Sequence, residues 1–125
     1  MDYPYNLGPY QRRVTTASAD AQTWFDRGLN WCYGYHHEEA LACFDEVLAR
    51  DPRNTDALVK KGTALERLRR PQEALECYDR AIAADDSMTI AYLYKGGLFN
   101  RMERFTEALE CYERALHTQE KRRAS

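Results

Sequence analysis

Apolar residues recur at helical spacing through most of the chain. In the middle of the sequence, the spacing i, i+3 or i+4, i+7 is followed by Ala74, Leu75, Tyr78, Ala81 and Ile82. This period places these side chains on one face of a helix, which we expect to run from about Pro71 to Ala84. The proline stands at the first helical position, where its missing N–H breaks no hydrogen bond.

A helix before this one is predicted over residues 56–68 by apolar residues at the same spacing, Leu58, Leu65 and Leu68. Gly62 lies on the same face, although a glycine inside a helix costs about 1 kcal/mol relative to alanine. We therefore expect the partner helix to approach closely at this glycine. Pro52 cannot continue the preceding helix, and Asn54 is the expected N-cap of the helix that follows.

One ten-residue phrase occurs three times at a constant interval. It reads "EALACFDEVL" at 39–48, "EALECYDRAI" at 73–82 and "EALECYERAL" at 107–116. Other positions align at the same offset, including Gly28, Gly62 and Gly96. A fixed period of this length is typical of repeat architectures, in which each unit buries its apolar face only against its neighbours. The pattern predicts three stacked pairs of helices.

These residues carry a family resemblance. The pattern resembles the tetratricopeptide repeat, whose signature is W-x2-L-G-x2-Y, then A-x3-F, then A and P. The three units run over 21–54, 55–88 and 89–122, and their signature positions hold Trp24, Gly28, Trp31, Ala40, Phe44, Val47 and Pro52; Leu58, Gly62, Leu65, Ala74, Tyr78 and Ala81; and Tyr92, Gly96, Phe99, Ala108, Tyr112 and Ala115. The sequence departs from the signature where Asp86 and Glu120 replace the closing proline. It also departs where a cation replaces the leucine before the glycine, at Arg27, Lys61 and Lys95.

The resemblance implies an all-α fold, a right-handed α-solenoid of three helix-turn-helix units. We expect an aromatic N-terminal arm over 1–18, the repeat domain over 19–122 and a polar tail over 123–125. The first part of the chain also resembles the start of larger bacterial proteins with this repeat. For the arm, which carries Tyr3, Tyr5 and Tyr10, three arrangements stay open: packing on its own stack, disorder, and exchange between subunits.

In this family the first helices of the units line a concave groove that holds a peptide from a partner. The resemblance therefore implies that this chain is a non-catalytic protein-interaction module for an amphipathic peptide. Carried over position by position, the groove consists of Gln22, Phe25, Leu29, Cys32 and Tyr33; Asp56, Val59, Thr63, Glu66 and Arg67; and Ile90, Leu93, Gly97, Asn100 and Arg101.

The best-known ligand of the family is the acidic C-terminal tail of chaperones, which is held by a clamp of Lys, Asn, Asn, Lys and Arg. The corresponding positions here are Phe25, Leu29, Lys60, Ile90 and Tyr94. Only Lys60 can hold a carboxylate. We expect a different ligand, bound mainly by apolar contact.

Composition narrows the partner class. Hydrophobic residues make up 44% and charged residues 30% of the 125 residues, and the net charge is −2 with both signs interspersed. This balance argues against nucleic acid, which usually meets a basic face. No apolar run approaches the roughly 18 residues of a membrane helix, so we expect no membrane partner and a cytoplasmic protein.

The residues that could carry other chemistry are few. Cys43, Cys77 and Cys111 share one slot of the repeat, and without a Cys-x-x-Cys pair we expect free packing thiols, with a disulfide or redox role as the alternative. In "YHHEEA", 35–40, adjacent histidines diverge on a helix and form no i, i+4 pair. An enzyme or metal site that uses His36, His37, Glu38 or Glu39 is thus the weakest hypothesis. We expect no catalytic residue, metal or cofactor.

The last helix of the final unit has no following unit to cover it. Its expected exposed face consists of Leu109, Tyr112 and Leu116. A solenoid usually ends in a capping helix with a polar outer face. Either the chain is a fragment of a longer protein, or two copies bury these faces together. Self-assembly into a homo-oligomer through this helix or the N-terminal arm is the alternative function.

Overall fold

A computed structural model describes residues 19–34 and 36–124 of the chain. Within these ranges it contains six helices and no strand. They are α1 Ala19–Tyr33, α2 His37–Arg50, α3 Thr55–Arg67, α4 Pro71–Ala84, α5 Thr89–Arg101 and α6 Phe105–Ala124. The alternatives for the N-terminal arm fall on residues 1–18, outside the described residues.

The helices pair and stack in chain order. α1 packs on α2, α3 on α4 and α5 on α6, and the pairs join through α2–α3 and α4–α5 contacts. The second helices begin at residues 37, 71 and 105, so the period of the sequence is also the period of the structure. The all-α, right-handed solenoid of three helix-turn-helix units is confirmed.

Local signals set the helix ends. The Asn54 side chain accepts a hydrogen bond from the Ala57 N–H at 3.0 Å, so the expected N-cap is confirmed. Pro71 is the first residue of α4, as the sequence predicts. Arg69, between α3 and α4, and Glu103, between α5 and α6, both have φ of 60°. This left-handed conformation lets the chain reverse direction within a few residues at both turns.

A glycine and an aromatic ring join the two helices within each unit. A methyl group on Gly28 would lie 2.5 Å from the Phe44 ring, and one on Gly96 would lie 2.7 Å from the Tyr112 ring; Gly62 meets Tyr78 in the same way. No side chain larger than hydrogen fits while the ring keeps its place. The expected close approach at Gly62 is confirmed.

Two of the three cations that replace the leucine of the repeat signature connect successive units. Lys61 on α3 pairs with Asp45 on α2 at 2.7 Å, and Lys95 on α5 pairs with Asp79 on α4 at 2.6 Å. Both pairs sit at the contact between two units, at equivalent positions of the repeat. The long lysine stem lies along the apolar contact and its ammonium group reaches a carboxylate at the edge.

The repeated cysteine position lies inside the stack. Cys43, Cys77 and Cys111 are buried, Cys32 is partly buried, and all four thiols are free. Burial raises the pKa of Cys43 to about 11 and also raises the pKa of Cys77 and Cys111. The thiols therefore stay protonated near neutral pH and act as small apolar side chains.

The last helix differs from its equivalents in length. α2 and α4 each have 14 residues, whereas α6 has 20 and continues to Ala124, into the segment expected as a polar tail.

In the ranges that the structure describes, no helix has both the length and the apolar character needed to cross a bilayer.

Candidate functional site

The first helices of successive units lie side by side. α3 contacts α5 directly, in addition to its contacts with α2 and α4. The side of the stack formed by α1, α3 and α5 is where the sequence comparison places the peptide groove, and we call it the inner surface.

Three of the expected groove residues are part of the hydrophobic core. Phe25, Leu29 and Val59 are almost completely buried in the main hydrophobic cluster, and the Phe25 ring packs 5.6 Å from the Phe44 ring. They offer little surface to a ligand, although Leu29 still contributes to the wall of a pocket between α1 and α3. The expectation that Phe25 and Val59 are groove residues must be corrected, because both side chains belong to the core.

The other expected groove residues keep some exposure. Tyr33, Ile90 and Leu93 are exposed, as are Arg67, Asn100 and Arg101, whereas the partly exposed ones are Gln22, Cys32, Asp56, Thr63, Glu66 and Gly97. The exposed apolar residues on this side are thus Tyr33 in unit one and Ile90 and Leu93 in unit three.

An open pocket of about 320 Å³ lies between α3 and α5. Its lining consists of Thr63, Glu66, Arg67, Tyr94 and Arg101. The Glu66 carboxylate accepts hydrogen bonds from the Tyr78 hydroxyl and from Arg101, so this carboxylate is satisfied within the protein. The Tyr94 ring stacks on Tyr78, with 6.0 Å between ring centres and 13° between planes. The Tyr94 ring therefore gives the pocket an aromatic surface.

A second pocket of about 170 Å³ continues the first toward α1. Its lining consists of Leu29, Cys32, Tyr33, His37, Lys60, Thr63, Ala64 and Arg67. Thr63 and Arg67 line both pockets, which makes them one groove. Among the lining residues of the two pockets, Lys60, Arg67 and Arg101 carry positive charge and Glu66 carries negative charge. This surface therefore favours an anionic group.

The expected groove lacks four residues that line these pockets, His37, Lys60, Ala64 and Tyr94. Lys60 and Tyr94 occupy the same position of units two and three, one residue after Val59 and Leu93. They were considered only as positions of the chaperone-tail clamp. Their helical direction, one position on from the expected groove residues, is the signal that could have placed them there.

The histidine pair forms part of the packing between α1 and α2. The His36 ring lies edge-on to Trp31 with 4.9 Å between centres, and its Nδ1 is 3.8 Å from the Glu39 carboxylate. Across residues 19–34 and 36–124, no three His, Cys, Asp or Glu side chains come together as a set of metal ligands.

The fold is shared with several solved structures. A crystal structure of MamA has a TM-score of 0.80 and 20% identity, and the match covers 85% of this chain and 62% of that chain. The first TPR of Spaghetti (RPAP3), bound to the HSP90 peptide SRMEEVD, has a TM-score of 0.77 and 24% identity over 85% of this chain and 84% of that one. The TPR2B domain of yeast Sti1, in complex with pHsp70, has a TM-score of 0.80 and 21% identity over 83% of each chain.

Comparison with curated protein sequences gives no match. The family model of the tetratricopeptide repeat, in contrast, matches residues 36–89 and 59–124, and these two stretches overlap in unit two. They take in most of the chain and all of α2 to α6. The chain therefore belongs to the tetratricopeptide repeat family.

Proposed function

We propose that this protein is a non-catalytic interaction module that holds an amphipathic peptide of a partner protein along its inner surface. Two structures with the same fold, those of Spaghetti (RPAP3) and yeast Sti1, are complexes with a chaperone peptide and with pHsp70. These complexes support a role in protein binding. The kind of peptide that binds has to be inferred from this chain's own side chains, because the two domains are only 24% and 21% identical to it.

The observation that carries the proposal is the groove shared by the two pockets. It has three cations, one of which, Arg101, is paired with the Glu66 carboxylate, and it also has the Tyr94 ring. Ile90 and Leu93 add exposed apolar surface on the same side of α5. A peptide with acidic residues on one face and apolar residues on the other would meet both kinds of surface.

The sequence led us to expect binding mainly by apolar contact, and the burial of Phe25, Leu29 and Val59 changes this balance. With those side chains in the core, Arg67 and Arg101 supply a larger share of the accessible surface. We therefore assign the peptide's acidic residues to Arg67 and Lys60, and its apolar residues to Leu93 and Ile90. A cytoplasmic location is part of the proposal, and four free cysteines support it because secreted proteins usually oxidise such thiols.

Binding of synthetic peptides to the full chain tests this function. A fluorescent amphipathic peptide with glutamates on its polar face should bind, whereas the same peptide with lysines should not. Arg67→Glu should weaken binding at least about tenfold, since it replaces an attraction with a repulsion. Arg80→Glu is the matched control, because Arg80 is exposed on α4, a second helix. Equal binding of both peptides, or equal losses for both variants, would refute the proposal.

Self-assembly is the second candidate function, and exposed apolar residues on α6 favour it. Leu109 and Leu116 are 58% and 57% exposed. Sedimentation velocity from micromolar to millimolar concentration tests it. A monomer throughout this range would rule it out.

A further inference from the structure

The outer side of α6 carries the same residues that α2 and α4 use to hold the next unit. We call Leu109, Tyr112, Glu113 and Leu116 the terminal face. Their equivalents in unit two are Leu75, Tyr78, Asp79 and Ile82, and those in unit one are Leu41, Phe44, Asp45 and Leu48. In the earlier units, Asp45 and Asp79 pair with lysines of the following first helix, and Tyr78 stacks on Tyr94 of α5.

The contact that the terminal face lacks is known from the two internal examples. The lysine of each contact lies between two large apolar residues of its helix, Leu58 and Leu65 around Lys61 in α3, and Tyr92 and Phe99 around Lys95 in α5. The four apolar residues are buried, and the two lysines pair with Asp45 and Asp79. Both α3 and α5 thus carry a large apolar residue, a lysine three residues later, and a second large apolar residue four residues after the lysine.

Glu113 occupies the position of the two paired aspartates. On α2 and α4 this carboxylate receives a lysine from the next helix, at 2.7 and 2.6 Å. Glu113 is exposed. The terminal face therefore presents an apolar stripe with a carboxylate at the position where a cation is expected.

The chain does not supply the missing helix at the repeat interval. After α4 the chain turns at residues 85–88 and returns as α5, but α6 continues as a helix through the equivalent residues 119–122. A first helix therefore cannot follow α6 through the same short turn.

A second copy of this chain is a poor match for the terminal face. Its α1 has Arg27 at the lysine position, but Arg27 is buried within its own chain and its guanidinium lies 4.9 Å from the centre of the Trp24 ring. Two copies of α6 placed face to face would each bring a glutamate, and neither would bring a cation at the equivalent position. Charge complementarity thus favours a different protein.

We propose that the terminal face binds an amphipathic helix of another protein, with a lysine or arginine between two large apolar residues at the spacing of α3 and α5. The apolar residues pack on Leu109, Tyr112 and Leu116, and the cation pairs with Glu113. This interaction is independent of the peptide site on the inner surface.

The test uses the full chain and a fluorescent peptide with the sequence of residues 54–68. A hydrocarbon staple between positions 63 and 67 holds it helical, because isolated helices of this length are marginal in water. In the protein these two positions line the inner surface, so the staple leaves the contact residues free. Anisotropy should show saturable binding, and Leu109→Gln with Leu116→Gln should weaken it more than about tenfold, as expected from the apolar area lost.

A charge exchange tests the pairing with Glu113. Replacing the peptide lysine at position 61 with glutamate should weaken binding about threefold to tenfold, and Glu113→Lys should restore it, as expected for an exposed ion pair. Glu110→Lys is the matched control. The equivalents of Glu110 are Ala42 and Glu76, and both remain exposed where a next unit is present.

Three results would overturn the proposal. The first is that the stapled peptide does not bind at millimolar protein. The second is that Leu109→Gln with Leu116→Gln leaves its binding unchanged, and the third is that the protein is a dimer which these substitutions convert to a monomer. The last result would assign the face to a second copy. Arg67→Glu should leave binding of the stapled peptide unchanged, so failure here and failure of the inner-surface proposal can be told apart.

Discussion

Helices α4 and α6 have nearly the same sequence at their centres but different surroundings. "EALECYDRAI" and "EALECYERAL" differ only at Asp79/Glu113 and Ile82/Leu116. Yet Tyr78 is completely buried, whereas Tyr112 is 39% exposed. The difference comes from the unit that follows α4, which has no counterpart after α6 within residues 36–124. The position of a unit in the stack therefore determines how far its side chains are buried. Tyrosine at the same repeat position contributes differently to the free energy of unfolding in α4 and in α6.

Alanine in place of each tyrosine should give the largest difference between the two helices. Tyr78→Ala should lower the free energy of unfolding by about 3 to 5 kcal/mol, because it leaves a cavity and removes the ring stacked on Tyr94. Tyr112→Ala should cost about 1 to 2 kcal/mol, since water already reaches part of the ring. Urea denaturation followed by circular dichroism measures both. Equal losses would show that α6 is covered in solution.

Alanine in place of each glycine tests the same contrast through the opposite change, which adds volume. A methyl group at Gly62 collides with the fully buried Tyr78 ring, so Gly62→Ala should cost about 1 to 3 kcal/mol. At Gly96 the ring in the way is Tyr112, which has open space on its outer side and can shift. There the gain of about 1 kcal/mol in helix propensity should offset most of the strain. Thermal unfolding of the two variants gives the comparison.

Alkaline pH should destabilise the stack through its buried thiols. Burial, only partly offset by Arg27, raises the pKa of Cys43 from an ordinary value of 9.0 to about 11. Because the folded pKa is the higher one, the contribution to stability is complete below pH 9 and is lost as pH rises from 9 toward 11.

Urea denaturation at pH 8, 9 and 10 measures this loss, and Cys43→Ala should make it smaller. Cys111→Ala is the comparison at the open end of the stack, where burial also raises the thiol pKa. A pH dependence identical in wild type and Cys43→Ala would contradict the assignment.

The ion pairs between units should have the smallest effect. Lys61 and Asp45 are 22% and 51% exposed, so solvent screens their attraction. A double-mutant cycle with Lys61→Met and Asp45→Asn should give a coupling energy below about 1 kcal/mol. Glu113→Gln at the open end should change stability by less than this. A coupling of several kcal/mol would mean that these charges hold the units together.

The sequence was sufficient for the fold because its signals agree with one another. The constant repeat period, the helical spacing of Leu58 and Leu65, the cap at Asn54 and the glycine at 62 all predict the same helix pair. Because the repeat occurs three times, few other folds agree with all of these sequence signals. The helix bounds followed closely, as at Pro71–Ala84.

The inner surface was harder to predict, because exposure depends on the neighbouring unit. Val59 and Leu93 occupy the same repeat position, but Val59 is buried and Leu93 is exposed. The signature of the family gives the two residues the same position. The pattern of residues within one unit does not show which of them is buried. Likewise, the hydrogen bonds that Glu66 accepts from Tyr78 and Arg101 join residues far apart in the sequence, which a linear pattern does not reveal.

The repeated pairing of Lys61 with Asp45 and of Lys95 with Asp79 makes the contacts between units interchangeable. If residues 55–88 were excised, α2 would meet α5, and Asp45 would find Lys95 in the place that Lys61 had left. The chain could then lose or duplicate a whole unit without inventing a new interface. Recombination within the gene could thus change the length of the solenoid by one helix pair at a time, while the contacts between successive units stay the same.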